Sequence, residues 1–295
     1  MVVLFLVAQF VGLYIVNSYI DYGASQTTGT FTASALPDFA GQPVERPDIE
    51  PAFAPVYIGV AVLVGTLLLF VIIKWVPKVW KFWFFLAITT CLHVAFFAFL
   101  KNSTIAFVLA VVFAGLKVWK PSTVVHNFTE LLLYGGMVSV FFTILNIKAM
   151  IIILVLISVY DAYAVWKSKH MVTLAKFQTE QRAVAGLMIP YGKLTSAKIN
   201  VKPSKLIVPK PGQSKGRPIA ILGGGDIAFP LLTAAAVLKT YALTGQGWLA
   251  LIIPPCAAIS LLLLLVASKK GKFYPAMPFI SAGCFVGLFI VWLSA

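Results

Sequence analysis

Nine stretches of this chain are apolar, and each runs for close to the length that crosses a lipid bilayer: 1–20, 53–73, 82–100, 102–119, 128–147, 149–166, 219–238, 247–268 and 276–294. A hydrocarbon core of about 30 Å is crossed by roughly 20 helical residues. Inside it no water is present to satisfy backbone N–H and C=O groups, so a crossing segment of this kind must be a helix. The expected fold is therefore all-α, a polytopic membrane protein of nine transmembrane helices. Composition agrees: 60% of the residues are hydrophobic and 11% charged, against about 25% charged in soluble domains. The fourth run is the tightest. Only fifteen uncharged residues separate Lys101 from Lys117, so Lys117 is expected to snorkel to the interface. The fifth and sixth runs are divided only at Asn146, Ile147 and Lys148, and merging or dropping a run would leave eight spans.

The basic residues choose between these counts. With nine spans and a cytoplasmic N-terminus, nineteen of the 23 Lys and Arg residues fall on the cytoplasmic side. Only Arg46, Lys101, Lys148 and Lys239 fall outside. That segregation is what the positive-inside rule expects, and it sets the C-terminus outside. Three parts follow: a six-helix membrane part, 1–166; a basic cytoplasmic loop, 167–218; and a three-helix membrane part, 219–295. Within the loop, Met171, Leu174, Phe177, Val184, Leu187 and Met188 have helical spacing, while Pro203 to Arg217 has the composition of a flexible linker. The net charge of +14 is explained by topology and by attraction to anionic lipid. No nucleic-acid partner is implied, because the loop lacks interleaved aromatic residues. Met1 to Ile20 lacks a basic leader and reads as a retained span. The expected location is an integral, multi-pass protein of the cell membrane.

Against this background two acids are conspicuous. Asp226 lies in the seventh run, after Gly223, Gly224 and Gly225 and four residues before Pro230. An aspartate at the centre of a bilayer helix costs about 2.5–3.5 kcal/mol. Glycines weaken the helix before it, and Pro230 cannot donate to the carbonyl of Asp226. Asp161 lies near the cytoplasmic end of the sixth run. At 1.5 Å per residue the two acids sit about 9 Å and 13 Å from that boundary. Consecutive antiparallel helices could bring them together at similar depth. Two carboxylates in a low-dielectric site share a proton, one serving as base and the other as acid. Such a pair can activate water against a peptide carbonyl. It also occurs in proton- or cation-coupled membrane transporters, although no internal repeat is visible here. A third reading is a substrate-binding membrane chaperone in which the acids merely pair.

The surrounding residues narrow the choice. Tyr160-Asp161 in one span and Gly223-Gly224-Gly225-Asp226 in the next resemble the Y-D and G-x-G-D motifs of the presenilin and signal peptide peptidase family. Pro275-Ala276-Met277 is similar to that family's P-A-L motif, with methionine in place of leucine. The motifs occur in order, on the sixth, seventh and ninth spans. The resemblance implies an intramembrane aspartyl protease that cuts transmembrane helices of other membrane proteins. It makes Asp161 and Asp226 catalytic, and sets Gly223, Gly224, Gly225, Pro275, Ala276 and Met277 at the substrate, with Tyr160 as a supporting residue. A substrate helix must be unwound before it is cut, and strand addition would supply the lost backbone partners.

Other chemistries find little support. His93, His126 and His170 are scattered and form no H-E-x-x-H, so no zinc site is implied. Ser281-Ala282-Gly283 lacks the glycine that opens G-x-S-x-G. Cys91, Cys256 and Cys284 lie in apolar runs without metal-binding spacing and read as packing residues. No cofactor is implied. The expected partners are transmembrane helices and the bilayer, with a homo-oligomer left open.

Overall fold

The structure is a computed structural model. It describes residues 1–39, 42–43, 45–47, 49–50, 52–75, 77–120, 122–165, 185–190, 219–268 and 274–295. Each of the nine apolar runs contributes a helix: α1 (Val2–Asn17), α3 (Ala54–Trp75), α4 (Pro77–Leu100), α5 (Ser103–Trp119), α6 (Thr123–Phe141), α7 (Ile147–Tyr163), α8 (Gly224–Tyr241), α9 (Ile253–Ala267) and α10 (Met277–Ser294). A short α2 (Tyr22–Thr28) lies between α1 and α3. Four of the helical segments are long and apolar enough to cross a membrane by length and composition: Val79–Leu100, Thr123–Ile144, Gly247–Ala267 and Met277–Ser294.

Local chemistry marks where the helices begin. Asn102, Ser122 and Asn146 each accept a hydrogen bond from a backbone N–H in the first turn of α5, α6 and α7. Such caps satisfy donors that have no intrahelical partner. Small residues allow close approach where helices cross. An added Cβ on Gly135 of α6 would lie 3.0 Å from the Cα of Gly12 in α1, leaving the two backbones in contact.

The chain has two ends of different character. One gathers the ends of α1, α4, α6 and α8 with the starts of α5 and α7. There Tyr19 donates to the Val94 carbonyl at 2.7 Å, Ser103 to Asp38 at 3.2 Å, and Lys239 to Leu145 at 3.2 Å. A small hairpin, β1 (Asp38–Phe39) with β2 (Gln42–Pro43), lies in the loop at this end. The opposite end holds the last turns of α5 and α7 and the first turns of α6, α8 and α10.

Two expectations are corrected at that second end. The seventh apolar run is not helical throughout: its first five residues form a strand, β4 (Ile219–Gly223), and the helix starts at Gly224. Leu187 and Met188 likewise belong to a strand, β3 (Gly186–Pro190), which pairs antiparallel with β4. A short, continuous apolar run fits either conformation. Here antiparallel pairing satisfies the backbone that a helix would have satisfied internally. The remainder of the 167–218 loop lies outside the described residues.

Candidate active site

Asp161 stands in the last turn of α7 and is 8% exposed. Asp226 stands in the first turn of α8, not at mid-helix. α7 packs against α8, and both pack against α10. The Asp226 carboxylate lies close enough to Asp161 to interact with its charge. The glycine-rich segment is thus the junction of a strand and a helix, with Gly223 as the N-terminal cap. Pro230 falls inside α8, where the Asp226 carbonyl loses its partner.

Backbone N–H groups surround the pair. Met277 donates to Asp161 Oδ2 at 3.1 Å, and the Ala276 backbone also faces that carboxylate. The backbone of Gly223 faces Asp226. Pro275 and Met277 are buried and Ala276 is half-buried, so the P-A-L-like segment presents backbone more than side chain to Asp161. Ser158, one turn before Asp161, donates to Ser281 Oγ at 2.8 Å and fastens α7 to α10. Tyr160 and Tyr163 are 38% and 58% exposed and turn away from the buried face that carries Asp161.

The glycines sit in crowded surroundings. A Cβ on Gly223 would lie 3.2 Å from Asp226 Oδ2, and one on Gly224 would lie 2.7 Å from the Tyr134 hydroxyl. Gly225 has ordinary room.

The strands lead into this site, and one edge is unpaired among the described residues. β3 is held on one side by β4 and on the other by α6. Asn127 bonds both the carbonyl and the N–H of Met188, at 2.7 and 2.9 Å. His126 meets the Gly186 carbonyl at 2.8 Å, and the Gly186 N–H donates to Glu130 at 3.0 Å. In an antiparallel ladder alternate residues bond inward. Since Gly186 and Met188 bond to α6, Leu187 and Ile189 bond to β4 through their partners Leu222 and Ala220. The backbone of Ile221, opposite Met188, therefore points away from β3. That outer edge runs straight into Gly223 and Asp226.

Sequence reasoning missed the support behind this sheet. Lys117 does not snorkel. It is 2% exposed and pairs with Glu130, which is fully buried and also accepts from the Tyr134 hydroxyl. Glu130 is a third buried acid, and its network runs from α5 through α6 to β3 and Gly224. Gln9 of α1, also fully buried, donates to the Ile227 carbonyl at 2.8 Å, one residue past Asp226. The available signals were a lysine inside a short span and a glutamate at a span boundary. Among the described residues, no group of three or more His, Cys, Asp or Glu side chains could hold a metal ion.

Comparison with known proteins follows the same line. The family described as signal-peptide peptidase, presenilin aspartyl protease matches residues 52–295. Two solved structures of a presenilin family intramembrane aspartate protease, in C222 and P2 space groups, are similar in fold. Their TM-scores are 0.62 and 0.61 and their identities 17% and 18%, and each comparison covers 100% of this chain and 97% of the other. No curated protein matches. With the family match spanning most of the sequence, the chain belongs to the signal peptide peptidase and presenilin family of aspartyl proteases and is an intramembrane aspartic endopeptidase.

Proposed function

We propose that Asp161 and Asp226 are the catalytic pair, cutting peptide bonds within the transmembrane helices of other membrane proteins. What supports this reading is that Asp161 and Asp226, on the packed helices α7 and α8, lie within range of each other's charge, beside a strand edge unpaired among the described residues. One aspartate takes a proton from water as it attacks the scissile carbonyl, and the other donates a proton to the carbonyl oxygen. Among the described residues no lysine or arginine acts on either acid, so the pair is free to hold one proton between them. The N–H groups of Gly223, Ala276 and Met277 hold the carboxylates in place.

A helical substrate hides its amides, and cleavage requires that they be exposed with other partners at hand. The outer edge of β4 offers such partners through Ile221, and a substrate unwound beside it would add as a third strand. Gly223, Gly224 and Gly225 then lie at the point where the added strand passes Asp226, with Pro275, Ala276 and Met277 beside Asp161. Tyr160, turned outward, supports the segment from the bundle surface.

In this reading all nine apolar helices cross the cell membrane, the N-terminus is cytoplasmic, and the site opens toward the cytoplasmic face. The chain divides into 1–166, 167–218 and 219–295, each membrane part contributing one aspartate.

The test is cleavage of a single-span transmembrane peptide by the purified protein. Asp161→Asn and Asp226→Asn should each abolish fragment formation while the unfolding profile in detergent stays that of the wild type. Near-full cleavage by either variant would remove that aspartate from the pair.

A further inference from the structure

At the end of the bundle away from the aspartates, a cavity of about 480 Å³ is lined by Arg46, Lys239, Thr143, Phe31 and Ile49, among others. Two cations reach it from distant parts of the chain. Arg46 comes from the loop before α3, and Lys239 from the last turn of α8. Both line the same cavity, and their aromatic neighbours are in contact. The Arg46 guanidinium lies 5.8 Å from the ring centres of both Tyr19 and Phe142, and the Lys239 ammonium lies 5.4 Å from Phe31. Phe31 and Phe142 are themselves edge to face, 5.8 Å apart.

Among the described residues, neither cation has an anion. Among the described residues the ion pairs are Lys117 with Glu130 and His126 with Glu130, and both lie elsewhere. Arg46 instead donates to the Ser34 carbonyl at 2.7 Å and the Ser139 carbonyl at 3.3 Å. Lys239 donates to the carbonyls of Thr143 and Leu145. Carbonyls satisfy donors but leave the net charge in place. Donors are also left over. Arg46 Nη2 and Thr143 Oγ1 are both buried without a hydrogen-bond partner. Burial lowers the Arg46 pKa from its ordinary value by desolvation, with Tyr19 acting weakly the other way.

A buried, unpaired N–H costs about 1–3 kcal/mol, and more when the group is charged. Two such cations sharing one cavity repel each other at reduced dielectric. A tetrahedral oxyanion answers both problems, because it supplies negative charge and several acceptor oxygens at once. A guanidinium fork with an adjacent ammonium is suited to phosphate.

We propose that this cavity binds a phosphate group, carried by an anionic lipid headgroup or present as free phosphate. The group bridges Arg46 and Lys239 and takes the spare Arg46 N–H and the Thr143 hydroxyl. It ties the loop before α3 to the far end of the helix that begins at Asp226.

The test uses the full chain in neutral detergent. Native mass spectrometry reads retention of dioleoylphosphatidylglycerol against dioleoylphosphatidylcholine, and thermal unfolding reads the effect of inorganic phosphate. The wild type should prefer the phosphatidylglycerol. That preference should fall about tenfold in Arg46→Gln and in Lys239→Gln, and persist in Lys148→Gln, an exposed lysine at the same end. Arg46→Lys, which keeps the charge, should recover part of it. This outcome assigns the site to a lipid phosphate. If lipid preference is absent but inorganic phosphate raises the unfolding temperature of the wild type and not of the two glutamine variants, the site is one for free phosphate. The proposal is overturned if the wild type responds to neither, or if both glutamine variants respond as the wild type does. The wild-type measurement alone can give the negative result, so a variant that fails to fold does not shelter the idea.

Discussion

Gly224 occupies the variable position of the G-x-G-D motif, where this chain departs from carrying a side chain, and the structure gives the reason. Tyr134 fills the space. Its hydroxyl would lie 2.7 Å from a Cβ on residue 224, closer than real Cβ contacts come. A methyl there must displace either the tyrosine or the backbone leading to Asp226. Since a misplacement of about 1 Å near reacting groups can lower activity on the order of a hundredfold, Gly224→Ala should reduce kcat strongly with the protein still folded. Tyr134→Phe removes the obstructing oxygen, so the double variant should lose less activity than the two single losses combined. A double-mutant cycle of cleavage rates checks this, and simple additivity would show that residues 224 and 134 do not meet. Nothing in the sequence announced that contact. Ninety residues separate the pair, and a tyrosine in an apolar span reads as packing. The two aspartates were legible because carboxylates are rare and expensive inside apolar runs. Gln9 was not, since one amide in a long apolar run carries no sign of what it will face.

The nine helices were legible as elements because each is a long apolar run; the cap Asn102 lies where its run begins, whereas Ser122 starts α6 six residues before the run at 128. The strands were not. Ile219 to Gly223 continues smoothly into α8, and only the partner segment Gly186–Pro190 makes it a strand. The pairing gives β4 two unlike edges, which leads to a prediction. Ile221 presents its N–H on the open side, so Ile221→Pro should leave the β3 pairing intact. It should still abolish or sharply reduce cleavage, with thermal unfolding close to wild type. Leu222→Pro, which removes a bond to β3, should lower stability as well. Equal cleavage by Ile221→Pro and the wild type would sink strand addition on this edge. The sheet in turn depends on Glu130. Lys117→Met leaves that carboxylate buried without its cation, a loss of about 3–5 kcal/mol for a buried pair broken from one side. Lys117→Met combined with Glu130→Gln keeps an acceptor for the Gly186 N–H and for Tyr134 without the stranded charge. It should therefore be more stable than Lys117→Met alone, as measured by unfolding in mixed micelles. A double variant less stable than the single would mean that the carboxylate is tolerated without its lysine.

At the scale of the whole molecule, helix direction sets the topology. The ends of α1, α4, α6 and α8 meet the starts of α5 and α7 at one pole, while the starts of α6, α8 and α10 meet the ends of α5 and α7 at the other. In the reading proposed above, that alternation continues through α3, α9 and α10 and makes nine passes. An odd number of passes must leave the two chain ends on opposite sides. Several helices are shorter than the hydrocarbon core is thick. α1, with 16 residues, is about 24 Å long against a core of about 30 Å. Among the described residues four segments satisfy length and apolarity on their own, and an even number of crossings would put both ends on one side. If all nine helices cross, the bilayer thins locally around the short ones or their flanking residues extend them, each at a modest cost per ångström. We propose that the charge distribution selects the hand: by the positive-inside rule the aspartates face the cytoplasm. Epitope tags on Met1 and Ala295, probed with protease on sealed right-side-out and inverted vesicles, decide the matter. The N-terminal tag should be cut only in inverted vesicles and the C-terminal tag only in right-side-out ones. Cleavage of both tags from the same face would reduce the crossings to an even number and overturn the nine-pass reading.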